Sequence, residues 1–111
     1  MGQAEAMVKI YLDDVRQAPP GWIRVHTYEE AVEALKTGKV EQISLDNDLG
    51  TELEGYDVAK WIEQQTFDTN FRPPKIWVHS ANPVGMRNIN AAAVAIERMA
   101  RYKQTYRGDF E

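Results

Sequence analysis

Val8-Lys9-Ile10-Tyr11-Leu12-Asp13-Asp14 is the stretch on which the fold is decided. A run of strand-favouring residues stops abruptly at two carboxylates, as a buried strand does where it meets a polar edge. Working outward, the pattern returns in Trp22-Ile23-Arg24-Val25-His26, in the short Ile43-Ser44-Leu45 with acids at Asp46 and Asp48, and in Lys75-Ile76-Trp77-Val78-His79. Helical signals fill the gaps. Thr27-Tyr28-Glu29-Glu30 is a capping box, followed by an apolar stripe of Ala31, Val32 and Leu35 and by Gly38 as the stop. After a flexible loop from Gly50 to Gly55, Val58, Trp61, Ile62 and Gln65 fall near one side of a second helix. Asn82-Pro83 opens a third, with Asn82 as cap and Ile89, Ala93, Ile96 and Ala100 along one face.

Strands alternating with helices predict a compact α/β domain in three layers, a mostly parallel sheet of about four strands with helices on both faces. One link is short. The eight residues from Asp14 to Gly21 are too few for a helical crossover. At about 3.3 Å per residue they still span a strand of roughly 17 Å, so a helix-less parallel return and an antiparallel hairpin both fit. The expected division is a flexible segment 1–7, a domain 8–102 and a polar, frayed tail 103–111.

Composition removes several classes of function. The 111 residues contain no cysteine and two histidines, which excludes thiol chemistry and disfavours a dedicated zinc centre. A net charge of −4 argues against a long nucleic-acid surface, although a bound divalent cation reverses the local sign for a small phosphate ester. No apolar run approaches the roughly 20 residues of a membrane span, and the start lacks a secretory pattern. The expectation is a cytoplasmic protein without a membrane partner.

In open α/β sheets ligands bind beyond the carboxyl ends of the strands. There the first strand offers Asp13, Asp14 and then Arg16, the third Asp46 and Asp48, and the fourth His79, Ser80 and Asn82. Carboxylates brought that close repel one another unless a cation or shared proton neutralises them. All-oxygen ligands suit magnesium, calcium or manganese better than zinc. Each feature also has a structural reading. Acidic pairs after strands cap helices or shape turns. Arg16 forms surface pairs, His79 is a satisfied partly buried ring, Ser80 and Asn82 shape a turn, and Trp22, Trp61 and Trp77 are core or rim packing.

Four ordered motifs carry a family resemblance: Leu12-Asp13-Asp14-x-Arg16-x-x-Pro19-x-Gly21-Trp22, Ser44-Leu45-Asp46-x-Asp48-Leu49-Gly50, Gly55-Tyr56-Asp57-Val58-Ala59 and His79-Ser80-Ala81-Asn82-Pro83-x-Gly85. From about Val8 to Arg101 the chain resembles the cyclic-phosphate-processing receiver domains, a compact offshoot of the flavodoxin-like receiver fold. The resemblance implies that Asp13 and Asp14 hold magnesium, that Asp46 matches the phosphoryl-accepting aspartate of signalling receivers, and that Ser80 matches the hydroxyl at the next strand end. The fifth strand with its lysine and the helix after the first strand are missing, which points away from a phosphorylation relay. The expected function is a metal-dependent phosphoesterase acting on a cyclic phosphate, either a 2′,3′-cyclic RNA end or a cyclic nucleotide. In it Asp13, Asp14 and Asp46 hold Mg2+ or Mn2+, Asp46 or Asp48 attacks or activates water, and His79 is the acid. Arg16, Ser80 and Asn82 bind phosphate. The alternative is a non-catalytic phosphate- or metal-binding module, or a degenerate receiver that docks on a protein.

Overall fold

The computed structural model describes residues 6–107, so residues 108–111 of the expected tail and residues 1–5 of the leading segment lie outside the described residues. Strands β1 (Val8–Leu12), β2 (Ile23–Val25), β3 (Val40–Leu45) and β4 (Lys75–Val78) alternate with helices α1 (Tyr28–Lys36), α2 (Gly55–Asp68) and α3 (Pro83–Tyr102). The strands form one sheet in the order β2-β1-β3-β4, and every pairing is parallel. The link from β1 to β2 is therefore the helix-less parallel return. The third strand begins earlier than its apolar run suggested, at Val40, because a register irregularity near Val8 and Lys9 lets Val40 reach the core.

The helix boundaries follow local chemistry. Thr27 accepts the amide of Glu30 through its hydroxyl at 3.1 Å, and Glu30 reaches back to the amide of His26 at 2.6 Å. That bond, together with the nearby His26, holds the Glu30 carboxyl below its ordinary pKa. Asn82 caps α3 by accepting from Val84 and Gly85. The loop between Gly50 and Gly55 is tied at both ends: the amide of Leu49 bonds Glu54 at 2.9 Å, and the amide of Glu54 bonds Asp57 at 2.8 Å.

One core holds the chain together. Ile10, Leu12, Ile43 and Leu45 of the sheet pack with Leu35 of α1, Val58 and Ile62 of α2, and Ile89 and Ile96 of α3. Each such side chain contributes about 1.5–3 kcal/mol on burial. The strand residues in this core share one face, since side chains alternate along a strand. The receiver-like α/β class stands, with one correction to its layering. All the described helices lie on this face, which makes the domain two layers rather than three. Parallel crossovers are right-handed, and the steps from β2 to β3 and from β3 to β4 run in the same direction across the sheet, so α1 and α2 fall on the same side. Only a helix between β1 and β2, where the sheet order reverses, would cross the opposite face.

The expectation of fraying from residue 103 also needs correction. A π-helical turn continues α3 over Lys103–Arg107, and Lys103 is only 3% exposed. Its ammonium donates to the carbonyls of Thr66, Phe67 and Thr69 at the end of α2. Carbonyls at a helix C-terminus lack partners of their own and carry the negative end of the helix dipole, so a buried cation is satisfied there. Replacing Lys103 by methionine keeps the stem and removes the donors; the domain should lose about 2 kcal/mol of stability. Thermal unfolding should then start roughly 10 °C lower, and an unchanged melt would show that water replaces the ammonium without penalty.

Candidate functional site

The sheet places its acids by extending each ladder one residue past the strand. The amide of Asp13 bonds Val25, that of Asp46 bonds Leu12, and that of His79 bonds Leu45, all at 3.0 Å. Asp13, Asp14 and Asp46 thus meet, with one carboxylate oxygen from each lying within 4.8 Å of the others. Together with Arg16, Asp48, Val15 and Ala81 they line a depression of about 340 Å³ at the carboxyl end of the sheet. A second depression of about 430 Å³, between β4 and α3, is lined mainly by Pro74, Ile76, Ala93, Val94 and other apolar groups and gathers no set of carboxylates. Chemistry, not volume, selects the first.

The three carboxylates are not equivalent. Asp13 is 1% exposed. Its Oδ1 accepts the amides of Val15 and Arg16 at 2.8 and 2.7 Å, and its Oδ2 lies 3.1 Å from His79 Nε2. Burial pushes its pKa up, but the Arg16 and Val15 amides and the His79 ring outweigh burial and hold it below the ordinary value. Asp46 goes the other way. Burial and then the Asp13 charge raise it, and the hydrogen bond from the Asp48 backbone offsets only part of that. Asp14 is exposed at the rim. A charged Asp13 beside a reluctant Asp46 is an arrangement of oxygen donors able to hold a hard divalent cation.

His79 does not face the depression. Its ring stacks on Tyr11 at 4.0 Å and 7°, and Ser44 Oγ lies 2.7 Å from Nδ1. Burial lowers its pKa against the pull of Asp13, so the ring is held toward neutrality. Asp13 only accepts, so Nε2 carries the proton and Nδ1 accepts from the Ser44 hydroxyl. Ser80 and Asn82 are likewise engaged locally. Ser80 Oγ accepts the amide of Asn82, while Asn82 caps α3 and donates to Asp48 at 3.2 Å. Arg16 lies at the depression with Nη1 3.4 Å from the His79 carbonyl.

Tyr11 and Asn47 carry no mark of the site in the sequence, and Ser44 enters it only as the first residue of the motif around Asp46. Tyr11 and Ser44 sit inside strands, and only the register brings them to His79. Asn47 accepts the amides of Gly55 and Tyr56 and donates to Asp48 at 3.1 Å. A Cβ on Gly55 would stand 2.0 Å from the Asp46 carbonyl oxygen, and one on Gly85 would stand 2.6 Å from the Asn47 side chain. Both helix starts therefore press on the Asp46-Asn47 segment, and only glycine permits that approach.

A parallel sheet with its helices on one face and a converging acidic pocket at the strand ends defines a receiver-like domain. The family model for the cyclic-phosphate processing receiver domain matches residues 8–95, and the chain belongs to that family. A comparison with curated proteins finds no match. Among the described residues, no helix is long and apolar enough to cross a membrane.

The asymmetry of the carboxylates has a measurable consequence in metal-free protein. Asp13→Ala strands two amides and a histidine and should cost about 3 kcal/mol in urea unfolding. Asp46→Asn removes a charge whose ionisation is resisted and should leave stability equal or higher. Asp13 supplies stability that is present above the unfolded carboxylate value of about 3.9 and is lost as pH falls through its lower folded value. Asp13→Ala should therefore lose less stability than wild type on acidification below about pH 4. Equal effects of the two substitutions at neutral pH would contradict this assignment.

Proposed function

We propose that the domain is a metal-dependent phosphoesterase that opens a cyclic phosphate. The observation that carries this reading is the convergence of Asp13, Asp14 and Asp46 within 4.8 Å beside the guanidinium-bearing Arg16. The donor set is all oxygen, partly buried and rich in charge, which fits magnesium and tolerates manganese. Asp13, Asp14 and Asp46 would hold the ion, which when bound supplies a Lewis acid for a phosphoryl oxygen. Arg16, exposed and with a planar fork, binds the remaining phosphate oxygens.

The reaction consumes one water. A new P–O bond forms to the water oxygen, one ester P–O bond of the ring breaks, and the alkoxide released takes up a proton. Asp46 or Asp48 receives the proton of the attacking water; the raised pKa of Asp46 makes it the better acceptor at Oδ. His79 is better cast as a positioning residue than as the acid. Its one ring proton is held on Asp13, and its other nitrogen on Ser44. Ser80 and Asn82 are assigned to the turn between β4 and α3, from which Asn82 also holds Asp48, rather than to phosphate.

Magnesium at ten times its dissociation constant should stabilise the fold by about 1.4 kcal/mol, read as a rise in melting temperature that shrinks in Asp46→Asn. With 2′,3′-cyclic AMP as substrate, Asp46→Asn should lose turnover by at least about 10²-fold, as removal of a general base does. His79→Ala should chiefly weaken the magnesium response. Magnesium binding without turnover of any cyclic phosphate would replace this reading with the non-catalytic module.

A further inference from the structure

We infer that the helix-free face of the sheet, at Trp77 and Lys75, seats the nucleotide that precedes the cyclic end of a single-stranded RNA. This rests on the phosphoesterase reading of the acidic pocket and selects, between an RNA end and a free cyclic nucleotide, the RNA end.

The register puts Lys9, Gln42 and Lys75 in one row across this face, and Tyr11, Ser44 and Trp77 in the next. Arg24 of β2, paired with Tyr11, lies on the same side, and Trp22 just before β2 sets its ring edge-on to Tyr11 with centroids 6.4 Å apart. Within a chain of net charge −4, the strand-borne side chains here include the three cations Lys9, Arg24 and Lys75, against one strand-borne carboxylate, Glu41, exposed at the β3 irregularity beside Gln42. The cations lie against rings or backbone. Lys9 Nζ is 5.9 Å from the centre of the Trp22 ring and Lys75 Nζ is 5.0 Å from that of Trp77, while Arg24 donates to the Asp13 carbonyl at 3.1 Å. Among the described residues none of them pairs with an acid.

Trp77 is 48% exposed, and its indole N–H is fixed on Gln42 at 2.7 Å. An oriented, half-exposed indole beside an unpaired ammonium is the pairing that single-stranded nucleic acids use, base on ring and phosphate on cation. An apolar partner helix fits poorly, because it would strip water from cations and give them no acid. A second copy fits poorly too, since it would set cations against cations. The face is continuous with the acidic pocket. Trp77 of β4 and His79, which extends its ladder by one residue, are two residues apart, about 7 Å at 3.3 Å per residue, and His79 contacts both Asp13 and Arg16. A chain whose last phosphate lies at Arg16 therefore brings its preceding nucleotide over Trp77. Three cations suit a short strand and not a long polymer, in keeping with the overall negative charge.

The test compares 2′,3′-cyclic AMP with the dinucleotide ApA bearing a 2′,3′-cyclic end, and measures binding of fluorescein-labelled tetraadenylate with a 3′-hydroxyl by anisotropy. Wild type should prefer the dinucleotide by about tenfold in kcat/KM, and Trp77→Ala should abolish that preference, as loss of one base stack does. Trp77→Phe should retain most of it, and this variant guards against a folding defect in the alanine protein. Tetraadenylate should bind about tenfold more weakly to Trp77→Ala, with a shallower salt dependence in Lys75→Ala, while Asp46→Asn still binds it. Trp77-dependent binding without any hydrolysis would sustain the RNA seat and remove the esterase reading. Equal use of both substrates, binding indifferent to Trp77, or a dimer that Trp77→Ala dissociates would each overturn the inference.

Discussion

The carboxylate of Asp13 is where the parts of this domain meet. It sits at the end of an inner strand, buried, and accepts the amides that start the return to β2 as well as the ring that closes β4. A buried carboxylate without those partners would neutralise itself by taking up a proton. With them it stays charged, and that charge raises the pKa of Asp46 next to it. The same interaction thus holds the turn, orients His79 and sets one carboxylate charge against the ionisation of its neighbour.

The layering follows from connectivity. A receiver-like sheet protects its second face with helices that this chain does not place there among the described residues, and the short return after β1 removes the first of them. The core is then one-sided, and Leu12, Ile43, Leu45 and Ile62 are fully buried within it. Some of the lost support is replaced at the far end, where Lys103 joins the end of α3 to the end of α2 through carbonyls. The second face is left to polar and aromatic groups that water accepts.

The site was partly legible in the primary structure. Asp13, Asp14 and Asp46 announce themselves because acids that interrupt apolar runs end strands, and parallel strands bring like ends together. Thr27 and Asn82 read directly as caps because capping is local. His79, Ser80 and Asn82 read as reactive for the same reason that they read as structural: polar residues at a strand end serve either purpose. Only the ring orientation of His79, set by Tyr11 and Ser44 across the sheet, separates the two.

The sequence by itself determined the elements, the alternation that makes a parallel sheet, the family resemblance and the acids at its carboxyl edge, because each rests on neighbours close along the chain. Tertiary structure alone decided the direction of β2, the single helical layer, the burial of Lys103 and the distinction between a low Asp13 and a high Asp46. Those outcomes depend on the handedness of crossovers and on desolvation by residues distant in sequence. An acidic pair looks the same as text whether one member is buried under amides or both are in water; burial is a property of the packed chain.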